Sequence, residues 1–256
     1  MKAFAKLDGV KFFVGAAALA TLVACGGGGG GSDGGGTGAG SGTTVTGTVA
    51  KGAILAGATV DMVCANRDRI FGVTGITGAY TAQAQVAYPC IGTATKDNLS
   101  YRGVLLSGAV ANFTPMTDML VEVILAASAS GGASLSVAQF LETVRNDATF
   151  AKSVSASADA YRATVLNVVK AQLIAGGKTE AEADSIIAPA RAAPFDATSF
   201  SFGSDLDKVL DNTASVLQTP TGAVKPAVLN DSKAAGDALP LPTSGGTGAT
   251  GGSGNS

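Results

Sequence analysis

Three cysteines are the residues best suited to covalent chemistry in this chain of 256 residues, which contains no histidine. The cysteines stand at positions 25, 64 and 90. Without histidine, the chain lacks the commonest general base, the usual catalytic triads and the usual ligands of zinc and haem. No spacing of other residues nominates a nucleophile. We therefore predict no catalytic residue, no metal site and no cofactor.

The residues before Cys25 have the organisation of an export signal. Three lysines give a basic start, and residues 12–20 form a short apolar stretch. That stretch is too short to cross a membrane, which takes about 20 apolar residues. A basic start, a short apolar segment and small residues before the cut are typical of a secretory signal. We therefore expect residues 1–24 to be a signal peptide.

The last residues of this segment, Leu22-Val23-Ala24-Cys25, resemble the lipobox of bacterial lipoproteins. In that family the cysteine thiol receives a diacylglyceryl group, the peptide is cut before it, and the new amine is acylated, for example with palmitate. The resemblance implies lipidation of Cys25. One acyl chain gives only reversible binding, so three chains on this residue would form a lasting membrane anchor. Gly26 replaces the Asp of the inner-membrane retention signal, which favours the outer membrane. An ordinary signal peptide with a chance cysteine is the alternative.

Residues 25–42 are predicted to be the lipidated cysteine and a flexible tether. After Cys25, the segment contains almost only Gly, Ser, Thr and Ala, with one Asp. Such a composition cannot bury apolar surface, and its root-mean-square reach is about 20–25 Å. A phosphate-binding loop is the alternative for these glycines, but no strand precedes them and no Gly-Lys-Ser/Thr follows.

The other two cysteines, Cys64 and Cys90, predict a disulfide bond, since an even pair in an exported protein usually forms one. Closing a loop of about 26 residues would contribute about 3 kcal/mol. Cys64 falls on the predicted core face of a strand, which suits a bond between two strands across the interior. Two free buried thiols, or a metal pair that lacks further ligands, are the alternatives.

Two groups of carboxylates raise the question of acid–base or metal chemistry. Asp118 and Glu122 stand four residues apart on a predicted helix, and without further ligands we interpret them as an exposed polar stripe. Asp205, Asp207 and Asp211 could bind calcium, but the spacing and the glycine of an EF-hand are missing. The first two of these suit the positive end of a helix.

Residues 43–113 are predicted to form a small antiparallel β-sandwich. Apolar and polar residues alternate with period two, and glycine-bearing turns recur every 8–12 residues. The residues predicted to face the core are Val45, Gly47, Val49, Ala58, Val60, Met62, Cys64, Tyr80, Ala82, Ala84 and Val86.

Two stretches of this region, VTGTVAKGAILAGATVDMVC and TGITGAYTAQ, resemble the carboxypeptidase-regulatory-like, or transthyretin-like, repeats of bacterial surface proteins. The resemblance implies a β-sandwich that spaces, stiffens or binds rather than catalyses. Some relatives join a lysine to an asparagine through a nearby carboxylate. Lys51, Asn112 and Asp61 are the corresponding candidates, although a lysine at the end of a strand is more often solvated.

From residue 114 the apolar period becomes that of helices. Thr114-Pro115 predicts the start of a largely buried helix that packs against the sandwich. Ser136-x-x-Gln139 and Thr179-x-x-Glu182 predict capping boxes, and Ser204 predicts a further cap. We therefore expect an alanine-rich helical bundle over residues 114–218, a disordered tail over residues 219–256, and the α+β class overall.

The formal net charge is −2 and no basic cluster is present, so the chain is a poor candidate for nucleic-acid binding. The sequence favours a membrane-anchored lipoprotein of the bacterial cell envelope that acts as a structural or binding module, with an envelope protein or glycan as partner. A carrier of a small apolar ligand or lipid in the helical domain is the alternative. An enzyme that uses Ser/Lys or carboxylate chemistry is the third possibility.

Overall fold

The computed structural model describes residues 42–129 and 133–244, so the predicted signal peptide, Cys25 and nearly all of the tether lie outside the described residues. The described part contains six β-strands followed by seven α-helices. This order confirms the α+β class predicted from the sequence.

The strands form two antiparallel sheets. One sheet has the order β3-β2-β5-β6, and the other pairs β1 with β4. The strands are β1 (Thr43–Thr48), β2 (Thr59–Cys64), β3 (Arg69–Val73), β4 (Ala79–Ala84), β5 (Cys90–Lys96) and β6 (Leu99–Leu105).

The core of the sandwich consists of the inward residues that the alternation predicts. Val45, Val60, Met62 and Cys64 are fully buried, and Tyr80 is nearly so. The sequence analysis placed no strand where β3 lies. Its inward positions hold only Ile70 and Gly72, which is too little apolar alternation to predict a strand.

Residues 109–113 extend the smaller sheet by running parallel to β1. The Thr46 amide donates to the Ala109 carbonyl at 2.8 Å, and the Phe113 amide donates to the Thr48 carbonyl at 2.9 Å. This segment leads directly into the first helix, so the sheet fixes where the helical part begins.

The disulfide between Cys64 and Cys90 is present, as predicted. The two residues are directly opposite partners on the neighbouring strands β2 and β5 of one sheet. The bond does join two strands, but it links neighbours within one sheet rather than crossing the interior as expected. Residue alternation gives the face on which a cysteine lies, but it does not tell which strand becomes its neighbour.

We expect the disulfide to contribute about 3 kcal/mol to the free energy of unfolding, because it closes a loop of 26 residues in the unfolded chain. The double variant C64A/C90A, made in a water-soluble full-length C25S chain, should unfold at correspondingly lower urea concentration. The same chain with its disulfide reduced serves as the control, and its midpoint should shift in the same direction. A loss below about 1 kcal/mol in both samples would contradict the prediction.

Four helices begin where the sequence predicts a cap. The predicted caps are present at Thr114, Ser136, Thr179 and Ser204. The helices are α1 (Pro115–Ala127), α2 (Val137–Asn146), α3 (Ala148–Ala156), α4 (Ala158–Ala175), α5 (Glu180–Ala192), α6 (Asp205–Leu217) and α7 (Pro226–Asp237).

Helix α1 is the centre of the described structure. Almost every residue in it is buried, and it contacts β6 on one side and α4 and α7 on the other. Strands and helices therefore share one continuous hydrophobic core. The change of period at residue 114 marks the change from strand to helix rather than a gap in the core.

The predicted disorder of residues 219–256 was wrong for α7, while residues 245–256 lie outside the described residues. Helix α7 places Val228, Ser232 and Gly236 on one buried face at a spacing of four residues. A side chain at Gly236 would come within 2.5 Å of the Val123 carbonyl oxygen, so small residues let α7 approach α1 closely. Because this face is small rather than strongly apolar, the hydrophobic pattern did not reveal it.

Candidate functional site

Asp118 and Glu122 form a partly buried ion cluster, so the interpretation as an exposed stripe was wrong. Arg102 on β6 donates from Nε to Asp118, and from Nη1 to Glu122 at 2.8 Å. Only 7% of Asp118 is exposed, and burial raises the pKa of its carboxyl group despite the guanidinium beside it. The polar side of α1 faces a charged residue of the sheet, so these acids join the two layers.

Two of the three aspartates of α6 have separate partners. Asp205 pairs with Lys208 at 2.9 Å, and the buried Asp207 accepts a hydrogen bond from the Gly203 amide at 2.8 Å. Asp211 lies one turn further along, beside Gly52 of the sandwich. Within residues 42–129 and 133–244, no group of three or more His, Cys, Asp or Glu side chains is arranged to hold a metal ion.

Lys51, Asn112 and Asp61 have different surroundings. Asp61 pairs with Arg69 on the outer face of the larger sheet. Asn112 is fully buried, and its side chain bonds three backbone groups, at Thr48, Phe195 and Thr198. These contacts describe a structural asparagine rather than a lysine crosslink.

A groove lies at one end of the sandwich, and we call it the loop-end groove. It consists of two neighbouring cavities of about 630 Å³ and 460 Å³, and Lys51 lines both. Each volume lies in the range of small-molecule sites. Loops at the end of a sandwich are also where such folds commonly carry binding residues.

A tight loop after β1 holds Lys51 at the centre of the groove. An antiparallel bridge between Ala50 and Ile54 closes the loop, and the Leu55 amide donates to the Val49 carbonyl at 2.9 Å. From the helical side, the Gln218 Nε2 group donates to the Lys51 carbonyl at 2.9 Å. Strand and helix regions therefore fix the Lys51 backbone together.

The second wall of the groove is the connection between α6 and α7. Its turn is closed by a bond of 2.9 Å from the Gly222 amide to the Thr219 carbonyl. The fully buried Tyr101 of β6 donates its hydroxyl to the Gly222 carbonyl, which ties this turn to the sandwich core. The sequence Thr219-Pro-Thr-Gly222 is itself a turn signal, with Pro second and Gly fourth.

Gly222 leaves room for the Lys51 side chain. Its backbone has φ +98°, and a Cβ atom there would lie 2.7 Å from Lys51 Cδ and 3.2 Å from Nζ. The aliphatic part of Lys51 therefore rests on the backbone at Gly222, which orients its ammonium group within the groove.

The charged side chains along the groove differ in whether they already have a hydrogen-bond partner in the protein. Lys225 donates to the carbonyl groups of Ser215 and Val216 at 2.8 and 3.0 Å, where it caps the C-terminal end of α6. Asp211 lines the same cavity, and burial together with the charge of Asp207 raises the pKa of its carboxyl group. Lys51 and Lys96 line the smaller cavity.

The groove lies far from the point at which the chain enters the fold. The chain reaches the sandwich at Thr43, and Lys51 follows the other end of β1. The six residues of β1 span about 20 Å. The hairpin turn after Lys96 lies at the same end as Lys51, because Lys96, Asp97 and Asn98 line a cavity together with Lys51. The groove therefore faces away from the side on which residue 42 enters.

One cavity lies within the apolar core of the described helices, and it is very small. This cavity between Met116, Phe195 and Leu206 has a volume of about 10 Å³. That volume is about one water molecule, so this place in the core holds no apolar ligand.

Comparison of the chain with models of protein families, with curated proteins and with solved structures gives no match. In residues 42–129 and 133–244, no helix combines the length and the apolar composition needed to cross a membrane.

Most of the groove cannot be predicted from the sequence. Lys51 and Asp211 are candidates there for other roles, and no pattern singles out Lys96, Gln218 or Gly222. The turn signal at residues 219–222 was visible in the sequence, but nothing there indicated that the turn packs against β6.

Proposed function

We propose that this protein is a lipid-anchored envelope lipoprotein that acts as a binding module and presents the loop-end groove to another envelope component. The observation that carries the proposal is the position of the groove, at the end of β1 opposite to the entry of the chain. An anchor at Cys25 would then join the domain through the end at which residue 42 enters, and the groove lies at the other end of β1.

The anchor itself is supported by the sequence. Leu22-Val23-Ala24-Cys25 resembles a lipobox, and the residues that follow have the composition of a flexible tether. Three acyl chains on one cysteine would bind a bilayer far more stably than the single chain that gives only reversible attachment.

The binding role is supported by the construction of the groove. Its walls come from the loop after β1, the β5–β6 turn and the α6–α7 connection, and hydrogen bonds to Lys51 and Gly222 hold them together. A preformed concave site loses less entropy when a ligand binds than a flexible one does. The described residues thus supply a ready surface for a partner molecule.

We expect the C25S variant to leave the membrane fraction when the full-length chain is expressed in a bacterium that processes lipoproteins. The wild-type chain should sediment with membranes and carry the added mass of acyl chains, because Cys25 supplies the only sulfur in the proposed lipobox. Fractionation and intact-mass measurement test this. The tether variant S32A is the control and should stay with membranes; a membrane-bound, unmodified C25S chain would overturn the anchor.

Site-specific photo-crosslinking in intact cells tests the orientation of the binding face. A crosslinking residue at Asn98, on the rim of the groove, should give defined adducts with an envelope component. The same residue at Thr43, exposed at the opposite end of β1, is the matched control and should not give those adducts. Equal adducts at both positions would refute the proposed orientation.

A further inference from the structure

Several lysines that line the loop-end groove have no carboxylate partner among the described residues. In the described ranges 42–129 and 133–244, five lysines make no salt bridge, and three of these line the groove: Lys51, Lys96 and Lys225. Lys225 is occupied by carbonyl groups of α6. The ammonium groups of Lys51 and Lys96 make no hydrogen bond to any described residue, and both line the cavity of about 460 Å³.

Lys51 and Lys96 are partly buried residues, and neither has a carboxylate partner among the described residues. Removing a charged group from water costs free energy unless an opposite charge or hydrogen-bond acceptor replaces the water. An anion between Lys51 and Lys96 would provide both. The Lys51 side chain lies against the backbone at Gly222, which narrows the region in which its ammonium group can lie before a ligand arrives.

The residue types suit a phosphate group. A lysine ammonium binds phosphate as a point charge, and the planar fork of arginine would match carboxylate and phosphate alike. No arginine lines either cavity of the groove. A phosphate ester carries up to two negative charges near neutral pH, which two unpaired ammonium groups complement.

The remaining lining residues limit the size and kind of the ligand. Asp97 also lines the cavity of Lys51 and Lys96, so its local formal charge suits one phosphate group rather than a polyanionic chain. Neither cavity is lined by an aromatic side chain, which excludes stacking on a base or a sugar ring within the groove. Asn98 and Thr221 instead offer polar groups that suit the hydroxyl groups of a small ligand.

We propose that the cavity between Lys51 and Lys96 binds the phosphate ester group of a small polar molecule. The proposal rests on the proposed function in that the phosphate ester is the envelope component presented to the groove. That ester can belong to a free molecule or to a lipid headgroup. The two sources share the same chemistry at the lysines and differ in how the ligand is presented.

The test uses the water-soluble full-length C25S chain, so it is independent of the anchor. Calorimetric titration with inorganic phosphate and glycerol 3-phosphate covers free esters, and co-sedimentation with vesicles of phosphatidylglycerol in phosphatidylcholine covers headgroups. The variant K51M/K96M removes both charges and keeps most of the stems. The matched control K152M/K178M removes two unpaired, exposed lysines outside the groove.

We expect K51M/K96M to weaken binding at least about 30-fold, since each lost charged hydrogen bond has a large effect. The control should stay within about twofold of the parent chain. Binding of glycerol 3-phosphate identifies a free ester, and lysine-dependent binding to anionic vesicles alone identifies a headgroup; both support the proposal. If the double variant unfolds early in a thermal scan, K96M alone should still weaken binding about tenfold, because Lys96 lies at an exposed hairpin.

Three results would overturn the phosphate site. They are absence of binding in both arms, an equal loss in K51M/K96M and K152M/K178M, and binding of glucuronate as tight as that of glycerol 3-phosphate. None of these changes the membrane fractionation of wild-type and C25S chains, so failure of the phosphate site and failure of the anchor are separate observations.

Discussion

The N112A variant should lose about 4 kcal/mol of unfolding free energy at neutral pH, roughly 1–3 kcal/mol for each buried backbone group that it leaves without a partner. Asn112 is fully buried, and its Oδ1 accepts from the Thr48 amide at 3.0 Å. Its Nδ2 donates to the carbonyl groups of Phe195 and Thr198 at 3.0 and 2.8 Å. Alanine satisfies none of these three groups.

This side chain matters because it joins distant parts of the chain. Thr48 ends β1, whereas Phe195 and Thr198 lie in the connection from α5 to α6, more than 80 residues beyond Asn112. Loss of the amide therefore loosens the junction of sheet and helices at one point. Contacts of such long sequence separation form only when the whole chain is folded.

Urea unfolding of the C25S chain measures the effect. The control N230A changes an exposed asparagine of α7 and should alter the free energy of unfolding by less than about 0.5 kcal/mol. The isosteric variant N112D adds a sharper comparison, because it keeps an acceptor for Thr48 and sets an oxygen against two carbonyl groups. An N112A chain within about 1 kcal/mol of the parent would show that water replaces the amide.

The R102M variant should lose about 3 kcal/mol of unfolding free energy at pH 7, because two largely buried carboxylates lose their counter-charge. The Asp118 side chain is 10% exposed and that of Glu122 is 18% exposed. Methionine retains much of the length of arginine, so the loss reflects charge more than packing. Arg102 also lies in the middle of β6, where its backbone contacts with β5 do not change.

The loss in R102M should shrink as the pH falls. Burial already raises the pKa of Asp118, and removing Arg102 takes away the interactions that oppose this rise. The folded state then binds a proton more tightly than the unfolded state, whose Asp pKa is about 3.9. Stability is therefore gained as the pH falls through the folded pKa, and the gain is complete below the unfolded pKa.

Urea unfolding at pH 7 and pH 4.5 checks this sign. The variant R102M/D118N serves as the control, since a neutral amide replaces the unpaired carboxylate, and it should be more stable than R102M at pH 7. Its stability should also change less between the two pH values. An R102M defect of the same size at both pH values would show that packing, rather than charge, sets the loss.

Local patterns were enough to predict most elements of the fold. The period of two over residues 43–113 and the later period near four depend only on which side of a strand or helix faces the core. The caps at Thr114, Ser136 and Thr179 satisfy backbone groups within three residues, so they also follow from adjacent sequence. Strand β3 and helix α7 were missed because their buried faces contain glycine or small residues.

The ion cluster of Arg102, Asp118 and Glu122 shows why local patterns do not predict contacts between distant residues. Asp118 and Glu122 form a polar stripe on α1, and a polar stripe usually faces water. Here it faces Arg102 of β6, a partner that lies 16 residues before Asp118. Whether the stripe faces water or Arg102 depends on how the sheet packs against α1. The composition of the helix does not reveal this packing.

By itself, the sequence determined the α+β class, the strand and helix periods, and the chemistry on which the Cys25 anchor is proposed. The Cys64–Cys90 pairing also followed, since only two candidates remained once Cys25 was assigned to lipid. Only the tertiary structure decided that Lys51, Lys96 and the turn at Gly222 form one groove, because they come from segments more than 40 residues apart. These segments meet because α6 and α7 pack against the sandwich. Contacts between distant segments produce no repeating pattern in the sequence, so the groove cannot be read from it.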